Sequence, residues 1–323
     1  MRLNVTAAAI EARTLGRSEV AVPRIALGCG NFGGVGSSPE FFGRGLDEAQ
    51  AFAIMDAAWE LGINHFDTAD AYGGGRSETT IGNWIRSRGR LPLLSTKTYN
   101  PMAAGADHGL EPERMTRQLH ASLERLGVAR VDLYLTHDFD PQVAPARVVE
   151  TLERLRSEGL IRATGVSNYD ARQLRATLDA GHVDAIQNSY SLLARGDEAE
   201  VLPLCAREAV SYTVYSPLAG GWLTGKYRRG SEFPAGSRMT QRPDVYADFL
   251  RDEVFDALEH LERLAAAREI SMAGLSLSWL LSHPDVSAIV VGPGSPGQLE
   301  PVREALANPL VAGERESIAR LFG

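Results

Sequence analysis

The chain has 323 residues, of which 44% are hydrophobic and 23% are charged, a composition typical of a globular protein with a substantial core. The formal net charge of −8 argues against nucleic acid or an anionic membrane as the main partner, because either needs a basic surface. Two cysteines, Cys29 and Cys205, are too few for a disulfide framework, and neither a signal-like segment nor a membrane-length apolar run is visible. We therefore expect a soluble, cytoplasmic protein.

Short apolar or β-branched runs alternate with longer helical patterns along the chain. Predicted strands cover 24–28, 63–66, 93–96, 131–135, 162–166, 184–187, 212–215 and 288–291. Predicted helices cover 47–61, 77–87, 112–126, 145–158, 171–180, 198–208 and 296–307; Asp47 suits the cap of the first, and Pro112 the first turn of the third. Eight strands alternating with helices predict an α/β fold, a (β/α)₈ TIM barrel, as a single domain over 1–323.

Three segments interrupt this alternation. Residues 13–23 read as a hairpin that we expect to plug one end of the barrel. Long glycine-rich connections follow the third strand (99–111) and the seventh strand (216–245). Loops of this length are typical of lids and binding loops, and both are expected at the C-terminal face of the barrel.

The first strand is followed by glycines at the spacing of a dinucleotide-binding turn. Gly28, Gly30 and Gly33 satisfy Gly-x-Gly-x-x-Gly, but more glycines and Pro39 follow where that motif requires a helix. The turn is therefore not predicted to bind a phosphate as a Rossmann fold does.

Four ionisable side chains lie just past the ends of three successive predicted strands: Asp67, Tyr72, Lys97 and His137. In a barrel those ends share one face, so we expect the four groups to converge. An ammonium lowers the pKa of a neighbouring phenol, and a carboxylate keeps that ammonium charged. Tyr72 would then give its proton to a developing alkoxide, while His137 orients the carbonyl oxygen. Considered one at a time, Asp67 could instead cap a helix or turn, and Tyr72 could mark a turn. Lys97 could be a solvated strand end, and His137 could be a structural histidine.

The sequence around these residues resembles the aldo-keto reductase family over nearly the whole chain. The resemblance rests on the runs FDTADAYG at 66–73, SLERLG at 122–127, GVSN at 165–168, QNSYS at 187–191 and YSPLAGGWLTGK at 215–226. It implies a barrel that binds a nicotinamide nucleotide without a Rossmann domain, and it assigns the catalytic roles to Asp67, Tyr72, Lys97 and His137.

The resemblance also implies a set of cofactor contacts. Asn168 and Gln187 match the pair that hydrogen-bonds the carboxamide, and Tyr215 matches the aromatic residue that stacks on the nicotinamide. Residues that match the segment over the pyrophosphate are Ser216, Leu218, Gly220, Leu223, Gly225 and Lys226. Further residues expected to border the cofactor are Gly30, Asn31, Asp67, Gly292, Ser295 and Gln298. Asn31 could equally bind a sugar hydroxyl or cap a turn.

The chain departs from the family pattern after the eighth strand. Gly294 stands where most members place a basic residue against the 2′-phosphate of NADP, and Pro301 and Val302 replace an acidic residue and an asparagine near the adenine. A helix start at Ser295 still attracts phosphate. NADP is the expected cofactor because it is the one that most members of the family use, and NAD is also possible.

The predicted function is oxidoreduction of an aldehyde or ketone, such as a sugar-like metabolite, with NAD(P)H. The pocket is expected to involve Cys29, Phe32, Trp222 and loop 99–111, and no metal site is predicted because the remaining histidines lack ligand spacing. One rival is a nucleotide-binding regulatory subunit, as in relatives that serve ion channels. Another is a barrel lyase or isomerase that forms a Schiff base on Lys97. The oligomeric state is not predicted.

Overall fold

The computed structural model describes residues 10–323. Its strands are β1 (Ala12–Thr14), β2 (Ala21–Pro23), β3 (Ile25–Gly28), β4 (His65–Asp67), β5 (Leu93–Thr98), β6 (Val131–Thr136), β7 (Ile161–Ser167), β8 (Ala185–Ser189), β9 (Ser211–Tyr215) and β10 (Val286–Val291). Its helices are α1 (Glu48–Glu60), α2 (Arg76–Arg88), α3 (Pro112–Leu126), α4 (Pro145–Ser157), α5 (Ala171–Ala180), α6 (Val201–Glu208), α7 (Arg238–Gln241), α8 (Asp252–Ala267), α9 (Met272–Leu281), α10 (Glu300–Ala307) and α11 (Ala312–Ala319).

Eight parallel strands close into a barrel in the order β10-β3-β4-β5-β6-β7-β8-β9. The predicted α/β barrel is therefore confirmed, and each of the eight predicted strands is present. The strands extend further than predicted at their C-terminal ends: Asp67 pairs with Ser95, and Lys97 pairs with Leu135. Asp67 and Lys97 therefore lie within β4 and β5, not past their ends, and the sheet itself holds their backbones.

The N-terminal hairpin, β1 with β2, packs against the barrel's N-terminal end as predicted. Leu15 is fully buried in a small apolar cluster with residues that come early in the barrel strands, including Ala163 and Ala185. At the turn, the backbone N–H of Gly16 donates to Ser211 Oγ at 2.9 Å. The hairpin leaves the C-terminal ends of the strands as the open face of the barrel.

Four helices, α7, α8, α9 and α11, were not predicted. The connection after β9 runs to Arg251 and contains α7 and two 3₁₀ segments, Ala219–Thr224 and Pro243–Phe249. Helix α9 is buried from Met272 to Leu280, so it has no polar face from which a helical period could be read. The predicted helix at 296–307 is a 3₁₀ turn, Pro296–Leu299, followed by α10.

The segment between β3 and α1 is a loop, which agrees with the rejection of a Rossmann turn. Helix α1 begins only after Asp47, whose side chain accepts from the N–H of Gln50 at 2.8 Å while its own N–H donates back at 3.0 Å. Among residues 10–323, the structure contains no helix with the length and apolar character that crossing a membrane would need.

Candidate active site

A buried ion pair lies at the C-terminal end of the barrel. Lys97 Nζ donates to Asp67 Oδ1 at 2.6 Å and to the carbonyl of Thr68 at 2.9 Å, and both charged side chains are at most 4% exposed. Gln187 Nε2 donates to the other oxygen of Asp67 at 2.9 Å. Burial disfavours the ammonium, but Asp67 and the Tyr72 phenol outweigh it, so the pKa of Lys97 is raised. Lys97 is a charged interior group and not a solvated strand end.

Tyr72 and His137 face each other beside this pair. The Tyr72 hydroxyl lies 3.5 Å from His137 Nε2, and Lys97 Nζ lies 5.2 Å from the centre of the Tyr72 ring. Tyr72 opens a short turn, Tyr72–Gly74, directly after β4. The structure therefore brings Asp67, Tyr72, Lys97 and His137 together, as their spacing predicted.

The electrostatics of Tyr72 differ from the sequence expectation. Burial raises the pKa of the Tyr72 phenol above its usual value, and the Lys97 ammonium opposes that shift without reversing it. The expectation of a lowered pKa was wrong because it counted the neighbouring charge and not the loss of water. The phenol is therefore held in its protonated form.

His137 is a neutral imidazole in this site. Burial, together with the nearby Lys97 charge, lowers the pKa of His137 to about 3. One ring nitrogen, Nδ1, is buried without a protein partner, while Nε2 faces the Tyr72 hydroxyl. A neutral imidazole has one N–H donor, which suits it to orient an uncharged oxygen atom.

The residues expected at the nicotinamide line the same opening. Asn168 has a left-handed backbone (φ 62°); its amide N–H donates to the carbonyl of His137 at 2.8 Å, and its Oδ1 accepts from the Tyr215 hydroxyl at 2.6 Å. Gln187 is bound to Asp67 as described above. Asn168, Gln187 and Tyr215 are thus connected through hydrogen bonds to the central group, and the ring of Tyr215 is half-buried at the mouth.

The segment after β9 forms a tight backbone cradle. Residues in the left-handed conformation are Ser216, Ala219, Gly220, Gly221 and Gly225. The carbonyl of Leu218 accepts from the N–H groups of Gly221 at 2.8 Å and Leu223 at 3.3 Å. A Cβ atom at Gly221 would collide with the end of the Lys226 side chain, which lies across the cradle. Successive turns of this kind, with an ammonium beside them, suit an anion.

The loop after β10 is tied to the loop after β3. Asn31 Nδ2 donates to the carbonyl of Pro293 at 2.8 Å, and Asn31 Oδ1 is buried without a protein partner. The N–H of Gly294 donates to Gln298 Oε1 at 2.7 Å. Ser295 precedes the 3₁₀ turn without capping it, and Gly292 lies against the backbone of Gly28.

Three residues expected around the pocket, Cys29, Phe32 and Trp222, are fully buried. Trp222 is fully buried and packs against Tyr227, Phe249 and Phe255, so it belongs to the interior of the long loop. Cys29 and Phe32 are also fully buried, and burial raises the pKa of the Cys29 thiol. Val302 is buried in the core behind the loop after β10.

Sequence reasoning missed the polar residues next to the four ionisable groups. Asp138 directly follows His137, and Asp70 lies two residues before Tyr72 with its carboxyl buried. Their positions beside the predicted strand ends were the available signal. Nothing in the pattern indicated which way their carboxyl groups would face.

Comparison with known proteins agrees with this geometry. The model of the Aldo/keto reductase family matches residues 24–321. An NADH-specific methylglyoxal reductase from Escherichia coli is 34% identical over 91% of both chains, and a probable voltage-gated potassium channel subunit beta from rice is 29% identical over 91% of this chain and 90% of its own. The solved glycerol dehydrogenase from Gluconobacter oxydans superposes with a TM-score of 0.82 at 25% identity, covering 97% of this chain and 95% of the other.

A family match over almost the whole chain, a relative with more than a third of positions identical, and a closed parallel barrel therefore agree. The chain belongs to the aldo/keto reductase family and is an oxidoreductase of carbonyl compounds.

Proposed function

We propose that the chain transfers a hydride between a nicotinamide nucleotide and the carbonyl carbon of a small aldehyde or ketone, with Tyr72 as the proton donor to the oxygen. The observation that carries this proposal is the buried Lys97–Asp67 pair, held at 2.6 Å beside the Tyr72–His137 contact. Proton donation by a positioned side chain contributes about 10²–10⁴-fold to a rate.

Tyr72, Lys97 and His137 have complementary parts in the reduction. A carbonyl oxygen that gains negative charge becomes far more basic than a phenolate, so it takes the Tyr72 proton even though burial has raised the phenol pKa. Lys97, kept charged by Asp67, stabilises the phenolate as it forms. The neutral His137 donates a hydrogen bond to the same oxygen before the proton moves.

The residues at the mouth fit a nicotinamide nucleotide. The supporting observations are the cradle of left-handed residues beneath Lys226 and the buried, unpartnered Oδ1 of Asn31. Asn168 and Gln187 would hold the carboxamide, Tyr215 would cover the ring, and 216–226 would hold the pyrophosphate. When bound, the nucleotide supplies or accepts the hydride.

We propose that NADH is accepted at least as readily as NADPH. Gly294 has no side chain to pair with a 2′-phosphate, and Gln298, the nearest polar side chain, is engaged by the N–H of Gly294. The methylglyoxal reductase that resembles this chain is described as NADH-specific, which supports the use of NADH by this chain as well.

Two alternatives have different experimental signatures. The rice relative is described as a channel subunit, and a regulatory protein of that kind would bind nucleotide without turnover on any carbonyl. A Schiff-base enzyme would need a neutral Lys97, whereas Asp67 raises the pKa of Lys97 and the carbonyl of Thr68 accepts a further N–H. The geometry therefore favours the reductase over the Schiff-base enzyme, and turnover on a carbonyl compound separates the reductase from the regulatory protein.

The proposal is tested by steady-state assays of the purified protein on a panel of aldehydes and ketones, with each nucleotide. Tyr72→Phe should lower kcat by about 10²–10⁴-fold. The same variant should bind nucleotide with nearly unchanged affinity, measured by quenching of protein fluorescence, because the phenol acts on the substrate. Wild-type kcat in the variant would rule out Tyr72 as the donor, and nucleotide binding without any turnover would favour the regulatory role.

A further inference from the structure

Asp138 carries an unpaired carboxylate at the mouth of the barrel. It follows His137 directly, its side chain is exposed, and its Oδ1 accepts only the N–H of the adjacent Phe139, at 2.8 Å. Within residues 10–323, no cationic group lies within salt-bridge distance of this carboxylate. Partial burial raises the pKa of Asp138, which is the behaviour of a carboxylate without a cation beside it.

Asp138 lies at the open face of the barrel, between His137, whose Nε2 faces the Tyr72 hydroxyl, and Phe139, whose ring packs edge-on against Tyr169 at 5.2 Å. Burial raises the pKa values of Tyr99, Tyr169 and Tyr215, and the charge of Asp138 adds to each of these shifts. Tyr99 follows β5, Tyr169 follows β7 and Tyr215 ends β9. Asp138 therefore lies among residues that follow or end the barrel strands, directly after the histidine that faces Tyr72.

A second carboxylate adds to the negative charge on this side. Asp140 is buried, and its oxygens accept the N–H groups of Leu110 at 2.8 Å and Gln142 at 2.9 Å. Arg114 of α3 donates to the Thr98 hydroxyl at 2.9 Å and to the carbonyl of Gly109 at 3.0 Å. Among the residues that the structure describes, neither carboxylate has a salt-bridge partner.

Positive charge lies on the opposite side of the opening. Lys226 crosses the backbone cradle. Burial raises the pKa of Tyr246, and the charges of Arg238 and Arg242 oppose that rise without reversing it. The Tyr246 ring in turn packs over Gly220. Lys97, the cation at the centre, is neutralised by Asp67 at 2.6 Å. The mouth is thus divided into a basic half at the cradle and an acidic half at the end of β6.

We infer that Asp138 makes this site selective for uncharged carbonyl compounds, and that it rejects substrates with a carboxylate or phosphate beside the carbonyl. The inference rests on the proposed function. A second negative charge held several ångströms from Asp138 in this partly water-excluded mouth is repelled, and the discrimination expected is about ten- to a hundredfold.

Methylglyoxal and glyoxylate form a suitable pair of probes, because both present an aldehyde on a fragment of similar size and only glyoxylate is anionic. Their intrinsic reactivities differ, so the measured quantity is the ratio of kcat/KM for glyoxylate to that for methylglyoxal, compared between proteins. Asp138→Asn keeps the shape of the side chain and an acceptor for the Phe139 N–H. It should raise this ratio by about tenfold or more.

Asp179→Asn is the matched control. Asp179 is exposed on α5, outside the site, and its substitution changes the net charge by the same amount. It should leave the ratio unchanged, and added salt should narrow the difference between wild type and Asp138→Asn. An unchanged ratio in Asp138→Asn, or an equal rise in Asp179→Asn, overturns the inference while leaving carbonyl reduction in place. Absence of turnover with both probes in the wild type overturns the proposed function and this inference with it.

Discussion

At the scale of single residues, the site depends on ionisable groups that the barrel keeps out of water. Lys97 is 1% exposed and survives as a cation because Asp67, the Thr68 carbonyl and the Tyr72 phenol surround it. Removing one partner of such a pair leaves a buried charge uncompensated, which costs about 3–5 kcal/mol. The same burial keeps Tyr72 protonated and His137 neutral.

The pH dependence should therefore differ between the two directions of the reaction. Reduction requires the protonated phenol, and since the pKa of Tyr72 is raised, kcat for reduction should stay level through neutral pH and fall only in strong alkali. Alcohol oxidation requires the phenolate and should rise with pH up to that same pKa. Initial rates in both directions across a pH series check this. A change of kcat with pH near neutrality that disappears in His137→Gln would contradict the neutral state assigned to His137, whose pKa is about 3.

Asp70 should make folding stability depend on pH. Its carboxyl is fully buried, accepts the Thr98 hydroxyl at 2.7 Å on one oxygen and has no protein partner on the other. Burial raises the pKa of Asp70 to about 7, and Glu78 adds to the shift. The pKa of Asp70 is higher in the folded state than in the unfolded state. The free energy of unfolding should therefore fall as the pH rises from the unfolded-state pKa to the folded-state pKa, and stay level above that.

The variant Asp70→Asn, which cannot ionise, should lose this dependence. Between about pH 5 and pH 8, the free energy of unfolding of the wild type should fall by about 3 kcal/mol relative to the variant. Urea unfolding at both pH values measures the difference. Asp179→Asn, an exposed control on α5, should track the wild type; parallel behaviour of Asp70→Asn and wild type would show that Asp70 is ionised throughout.

At the scale of elements, loops that leave different strands are tied to one another around the mouth. Asn31 joins the loop after β3 to Pro293 in the loop after β10, and Arg114 of α3 holds the loop after β5 through carbonyls such as that of Asn100, at 2.8 Å. Under the proposed function, the loops after β3 and β10 would border the nucleotide, and the loop after β5 would border the substrate. A substitution in one loop can therefore alter one ligand without the other.

Gly294→Arg tests this separation. A Cβ atom at Gly294 would lie 3.5 Å from Gln298 Oε1, an ordinary contact, so a side chain fits. The added guanidinium should tighten NADPH binding by about one to two orders of magnitude, the worth of a charge-assisted hydrogen bond, and leave NADH nearly unaffected. Fluorescence titration of both nucleotides measures this.

The control for that experiment is Gly313→Arg on α11, where a Cβ meets nothing within 4 Å and the same charge is added away from the loop. It should change neither affinity. Strong NADPH selectivity in the unmodified protein would mean that another cation reaches the 2′-phosphate.

At the scale of the whole molecule, the apolar cluster of the hairpin and the ionisable groups of the candidate site lie at opposite ends of the barrel. The hairpin β1–β2 closes the N-terminal end with Leu15, Val20 and Val22, all nearly fully buried. The ionisable groups lie at the C-terminal end, among loops. This division lets the closed end be changed without moving the reacting groups.

Leu15→Ala should destabilise the fold by about 2–5 kcal/mol, because it opens a cavity between the hairpin and the barrel floor. The kcat of the folded protein should remain at the wild-type value. Leu91→Ala, at a position 67% exposed, should change stability by less than about 0.5 kcal/mol. Urea unfolding monitored by fluorescence gives both values. Equal stability of the two variants would show that the hairpin does not seal the barrel.

The amino-acid sequence by itself determined the barrel and the meeting of Asp67, Tyr72, Lys97 and His137. Strands that are buried on both faces can be recognised in the sequence as short apolar runs. Parallel strands of a barrel bring their C-terminal ends to one face, whatever the details of packing. The same reasoning predicted the long loops and pointed out that position 294 is a glycine where most family members have a basic residue. It missed α9, because a helix buried on all sides has no apolar stripe.

Only the tertiary structure decided how those groups behave. The raised pKa of Tyr72, the enclosure of Trp222 and the link from Asn31 to Pro293 depend on neighbours far away in the chain. Desolvation is set by everything that surrounds a side chain, whereas a motif records only its neighbours in sequence. The types of chemical group at the site were therefore readable from the chain, but their protonation and selectivity were not.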